Sequence, residues 1–222
     1  MPDKIFIIVS LVVIILTIRI KNIGTGLRSI NTLIHELSHA FMAIVTGGQV
    51  TEIKLNENAS GSCTTKSNSG FKGFLVSFAG YTFSALFSYL LFFSIGKSWS
   101  YYFFYIFTAA SALAIIFWIR NLYGIIWTLI FISLNLAIIL IPFAMPKYTN
   151  HIIFVLGAII AIDNFLATTS LLTRAFKEPK KAGDATNLAK ATRIPAIFWA
   201  LLFLAVSVFV GYKSYLIFLP YF

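Results

Sequence analysis

Residues 31–48 read NTLIHELSHAFMAIVTGG. Most of this stretch is apolar and spaced as a helix, and Gly47-Gly48 is a helix stop. Set into it are His35, Glu36 and His39, which include two of the chain's three histidines. Histidines at i and i+4 share one helical face, so both rings can meet one ion, and a glutamate beside the first can reach a water on that ion. A zinc ion with protein ligands and one open position brings the pKa of its water to about 7, where a carboxylate can take the proton. Zinc is therefore the expected cofactor, with His35 and His39 as ligands and Glu36 as the catalytic base. The alternative is a pair of helix-interior histidines bonded to neighbours. Against it stands the cost of ionisable groups in an apolar span, which marks them as functional by default.

The residues around this stretch set the class. Of 222 residues, 59% are hydrophobic and 11% charged, with a mean hydropathy of +0.89. Soluble domains carry about 25% charged residues. The chain reads as an all-α polytopic protein of the lipid bilayer, in one membrane-embedded domain over 1–222. The net charge of +10 would suggest nucleic acid in a soluble protein. Here the basic residues lie mostly in short connections between apolar runs, which is the pattern of membrane topology and anionic lipid, so no nucleic-acid partner is expected. The single cysteine, Cys63, excludes an internal disulfide.

Seven apolar runs are predicted to span: 5–18, 30–45, 74–95, 101–119, 122–144 (ending around Pro146-Lys147), 152–172 and about 195–210. The first is short for a span. No small-residue cleavage site follows it, so it is read as a retained anchor. Between the second and third runs, Thr51, Ile53 and Leu55 alternate with Glu52 and Lys54, and a turn-rich segment follows. This predicts a β-hairpin over about 49–67.

The segment 174–193 holds Arg174, Lys177, Lys180, Lys181, Lys190 and Arg193 and is expected as a basic cytoplasmic loop. Counting back through seven spans puts the hairpin and the N-terminus inside, with the active site towards the cytoplasm. The connection 19–28 then falls outside despite three basic residues, against the rule. Arg120 is read as a topology marker that snorkels. A residue choice rich in Ile, Lys, Phe and Asn points to a bacterial plasma membrane.

At HELSHAFMAIVTGG, then SGSC in the hairpin and FAGY at 78–81, the chain resembles the site-2 protease family of intramembrane zinc metalloproteases. Within it, the chain is similar to the small bacterial membrane metallopeptidase branch, as are IRNLYG (119–124) and GDATNLAKATRIPAIFWALLF (183–203). The resemblance implies hydrolysis of a peptide bond in a single-span membrane substrate. It implies a zinc ion on two histidines and one aspartate, a glutamate base, and a hairpin that pairs with the unwound substrate by edge addition. Val50 and Ile53 are the expected substrate-binding positions of that hairpin, and Asn121 is a candidate for orienting substrate or ligand.

The third ligand stays open between two aspartates. Asp163, in GAIIAIDNFLATTS, is a lone carboxylate deep in the sixth run and needs a partner, which zinc would supply. IDN resembles the Leu-Asp-Gly that carries the family's aspartate, but Asn164 replaces the glycine and the usual preceding Asn-Pro is missing. Asp184, in AGDATNLA, is the alternative. It resembles a recurring Ser-Asp-Ala segment of the small branch and also suits a helix N-cap. Two other functions compete: an inactive homologue that binds membrane partners, and a small zinc-binding transporter. The chain lacks the paired half-chain repeat expected of a transporter.

Overall fold

The structure is a computed structural model and describes residues 2–66, 70–144 and 148–221. It is mostly helical, with one two-stranded antiparallel sheet. The helices are α1 (Lys4–Thr17), α2 (Ile23–Val45), α3 (Phe71–Ser94), α4 (Tyr102–Phe117), α5 (Leu122–Ala144), α6 (Thr149–Lys177), α7 (Gly183–Thr192) and α8 (Ala196–Phe218). The strands are β1 (Gln49–Leu55) and β2 (Gly61–Lys66). The expected break at Pro146-Lys147 and the expected hairpin end at 67 lie outside the described residues.

Among the described residues, four helices are long and apolar enough to cross a bilayer: Phe71–Ser94, Leu122–Leu140, Thr149–Lys177 and Ala196–Phe218. The expected seven crossings are thus not confirmed. α1 and α4 are apolar but have 14 and 16 residues. At 1.5 Å per residue they reach only about 21 and 24 Å, against about 30 Å of hydrocarbon. α2 is long enough, but its buried face is polar: Ser29, Asn31, Thr32, Glu36, Ser38 and His39 all turn inward.

The packing also corrects the expected orientation of the N-terminus. Phe6, near the start of α1, packs on His151 and Phe154 near the start of α6. Ile15 and Ile18, at the other end of α1, line a cavity with Ala161, Ile162 and Phe165 further along α6. The two helices run the same way, so the chain starts at the end of the bundle where α6 starts, and not at the end where α6 finishes. The misfit of 19–28 eases accordingly. Arg28 is not in a loop at all. It sits within α2 and pairs with Asp163, halfway along the 29-residue α6.

α3 and α8 run parallel, with Phe74 on Trp199 near their starts and Phe92 on Phe218 near their ends. α3 ends where α6 begins, at the bond from the Gly96 amide to Asn150 Oδ1 (3.1 Å). One end of the bundle therefore gathers the start of α3, the end of α6, α7 and the start of α8. The expected loop over 174–193 is structured: the end of α6, a 3-10 turn at Pro179–Lys181, and α7.

The hairpin forms as expected, pairing Val50 with Thr65 and Leu55 with Gly61. The outer edge of β1 is covered at Ile53 and Leu55 by the chain between α4 and α5. The Ile53 amide donates to Trp118 O (2.9 Å), and Ile53 pairs in parallel with Ile119. Asn121 then brackets Leu55: its Nδ2 donates to Leu55 O, and its Oδ1 accepts from the Leu55 amide (3.2 Å). Arg120 is not a free topology marker. Its guanidinium donates to the carbonyls of Ile115, Ile116, Phe117 and Ile119, and so satisfies the last turn of α4.

Candidate metal centre

The inward face of α2 carries Arg28, Asn31, Thr32, His35, Glu36 and His39, residues spaced at i+3 and i+4. α3 crosses that face at Gly80. A Cβ added there would come within 2.5 Å of His35 Cε1 and 2.7 Å of His39 Nε2, so only glycine lets α3 approach both rings. Tyr81 packs edge-on to His35, with ring centres 4.4 Å apart.

His39 Nδ1 lies 2.7 Å from the carbonyl of Val76. A carbonyl can only accept, so Nδ1 carries the proton, and Nε2 of the neutral ring is left as a lone pair. That nitrogen lies 3.0 Å from His35 Nε2. Asp184, in the first turn of α7, completes the group: its Oδ2 is 3.2 Å from His35 Nε2 and 3.3 Å from His39 Nε2. Among the described residues these are the three side chains whose ligand atoms converge as a metal site would require.

The donor set fits zinc. Tetrahedral ligands about 2.0–2.1 Å from zinc stand about 3.3 Å from one another. The three atoms here are separated by 3.0–3.3 Å and form one face of such a tetrahedron. Burial works against the charge of Asp184, but the histidines outweigh it and hold the carboxyl well below its usual range. The N-cap reading of Asp184 does not hold. α7 is capped at Ala182, and no side-chain bond caps it.

Glu36 is 5% exposed and lies under the tip of the hairpin. A Cβ on Gly61 would come within 2.5 Å of its Oε1, so Gly61 lets β2 sit directly on the carboxylate. Thr32 Oγ1 fastens the tip by donating to Ala59 O (2.8 Å). The histidines, Glu36 and Asp184 share a cavity of about 400 Å³ with Gly61, Ser62 and Cys63 of β2. Burial, with the charges of Glu36 and Asp184 adding to it, pushes the Cys63 thiol up to about 12.

A family model described as Peptidase M50B-like matches residues 8–213. The chain belongs to that family, the site-2 protease family. No curated protein and no solved structure matches the chain. The M50B-like match takes in α2, the hairpin, α3 and α7, so every residue of the centre lies within it.

The other residues expected at the site of this M50B-like chain go elsewhere. Asp163 does not join the histidine cluster. Its Oδ1 accepts from Arg28 Nε (2.7 Å) and its Oδ2 from Asn31 Nδ2 (3.0 Å), so the partner a buried carboxylate needs is a guanidinium. Ile53 is fully buried and its amide is already bonded to Trp118, so it offers no free edge. Val50 is half-buried and paired within the hairpin. Asn121 holds the hairpin's backbone and does not point to the metal group. Sequence reasoning missed Arg28 and Asn31. The available signal was their spacing: Asn31 lies one turn before His35, and Arg28 one turn before Thr32.

Proposed function

We propose that the chain is an intramembrane zinc metalloprotease that hydrolyses peptide bonds of single-span membrane substrates. The observation that carries this reading is the convergence of His35 Nε2, His39 Nε2 and Asp184 Oδ2 beside the Glu36 carboxylate, in a chain of the M50B-like family. His35, His39 and Asp184 would hold the zinc. Bound there, zinc supplies a Lewis acid for the substrate carbonyl and an acidified water. Glu36 takes the proton from the attacking water at its carboxylate and returns it to the nitrogen of the leaving amine. Its burial under Gly61 keeps bulk water from competing for that proton.

The substrate enters as an extended strand along β2. The far edge of β1 is already bonded to Trp118 and Asn121, whereas Gly61, Ser62 and Cys63 line the cavity. Main-chain pairing along that edge tolerates many side chains. The basic residues Arg174, Lys177, Lys181 and Lys190 flank Asp184, so this end of the bundle faces the cytoplasm, in a bacterial plasma membrane.

Detergent-purified protein should contain about one zinc per chain and cleave a fraction of single-span peptides supplied in micelles. His35→Ala should lose both properties. Glu36→Gln should keep the zinc and lose about 10²–10⁴-fold in rate. Glu36→Gln that cleaves at the wild-type rate would overturn the assignment of the base. Folded wild-type protein that takes up no zinc would overturn the protease reading.

A further inference from the structure

The face of α2 that carries the histidines continues into a second polar group. Arg28 and Asn31 line the same cavity as His35, Glu36 and Asp184. Asp163 sets the orientation of both, accepting from Arg28 Nε at 2.7 Å and from Asn31 Nδ2 at 3.0 Å. A carboxylate only accepts, so the amide nitrogen of Asn31 must face it, and Oδ1 faces away. That Oδ1 is buried and has no hydrogen-bond partner, in a side chain that is 4% exposed. A buried, unpartnered acceptor in a native fold calls for an explanation.

Arg28 is held the same way. Its Nε is committed to Asp163, and among the described residues its terminal nitrogens bond no protein group. The side chain is 36% exposed. Asn31 and Arg28 thus set an unpartnered acceptor and a fixed cationic fork side by side at the cavity wall. That combination fits a stretch of peptide backbone, with an amide N–H given to Asn31 Oδ1 and a carbonyl taken by the guanidinium. A carboxylate ligand would gain from Arg28 but would be repelled by Asn31 Oδ1 and by Asp163.

The spacing fits the same ligand. At 1.5 Å per helical residue, Asn31 lies about 6 Å and Arg28 about 10 Å along the axis from His35. An extended chain covers about 3.3 Å per residue, so the two side chains reach backbone two to three residues from a bond held over the histidines. Resting on the protease reading above, we propose that Arg28 and Asn31, fixed by Asp163, are positioning residues that grip the unwound substrate's backbone two to three residues from the cut.

The probe is a synthetic single-span peptide that the wild-type protein cleaves in micelles, chosen from a panel by mass spectrometry. It is remade as a series in which each backbone N–H within four residues of the cut is replaced by an ester oxygen. With wild type, one ester two or three residues from the cut should raise KM about tenfold and leave kcat unchanged. Asn31→Ala should raise KM to a similar extent and be indifferent to that ester, while keeping about one zinc per chain. Arg28→Lys keeps the charge facing Asp163 but loses the fork, and should raise KM several-fold. An Asn31→Ala protein with unchanged KM, or with the wild-type response to every ester, would overturn the proposal and leave the protease reading standing. Zinc-loaded wild type that cleaves no peptide of the panel would overturn both.

Discussion

Asp163, buried, and Asp184, half-buried, are two carboxylates that face the same helix, and they end in different chemistry. Both oxygens of Asp163 accept from donors that the chain itself supplies, Arg28 Nε and Asn31 Nδ2. Such a carboxylate is satisfied and needs no ion. Asp184 meets two imidazoles. At His39 the ring atom it faces is Nε2, because Nδ1 is committed to Val76 O. In the neutral ring Nε2 is a lone pair, so at 3.3 Å the two atoms attract only when a proton or a metal cation lies between them. Burial alone therefore does not identify a metal ligand. What matters is whether the groups facing the carboxylate only donate, or can also present a lone pair to an ion.

The comparison breaks most directly at the metal. Asp184→Asn should lower bound zinc from about one per chain to near none, and cleavage with it. Asp163→Asn should retain the zinc, because its neighbours are donors and not ligands. Metal analysis of the two purified variants decides this, and the reverse result would return Asp163 to the ligand set. Gly80→Ala tests the same centre without touching a ligand. Its methyl group would displace the rings of His35 and His39, so zinc affinity should fall about 10–100-fold, as for lost outer-shell support. Competition with a chelator measures it, and an unchanged affinity would mean that α3 can move away freely.

The sequence announced one half of this centre and not the other. His35, Glu36 and His39 are four-residue neighbours on one helix, so their convergence follows from helical periodicity alone. Asp184 lies 145 residues from His39, and only the return of α7 beneath the bundle brings it there; no local pattern encodes that. The position of Asp163 in an apolar run signals that it needs a partner, and Arg28 and Asn31 supply it. The partner was missed because Arg28 looked like part of a polar connection, when it is in fact the second turn of α2. The hairpin was legible from alternation. The covering of its β1 edge by Trp118 and Asn121 was not, because the pairing is non-local. The span count is unconfirmed for a different reason. α1 and α4 are apolar enough, but periodicity does not report where a helix stops, and both stop short.

The second test concerns stability. Asp163→Ala leaves Arg28 without its anion in a largely buried setting. Breaking a fully buried pair costs about 3–5 kcal/mol, and the partial exposure of Arg28 lowers the expectation to about 2 kcal/mol. Adding Arg28→Ala to Asp163→Ala should recover part of that loss, since the stranded charge goes with it. Thermal unfolding in detergent of the single and double variants gives the comparison. A double variant less stable than Asp163→Ala would mean that the aliphatic stem of Arg28, and not its charge, carries the packing.

The smallest effect is expected at Asn121, where the site is held indirectly. Its amide makes both bonds to the Leu55 backbone and so covers the end of the β1 edge. Asn121→Ala leaves a buried amide and carbonyl unpaired, or lets water reach them, at a cost of about 1–2 kcal/mol. That loss is local. Hydrogen exchange should quicken across 53–56, while the metal centre, tied to α3 and α7, keeps its zinc. The hairpin tip reaches Glu36 through Gly61, so loosening β1 should lower cleavage by a few-fold without altering metal content. Faster exchange with undiminished cleavage would show that Thr32, through its bond to Ala59, is sufficient to hold the tip over the base.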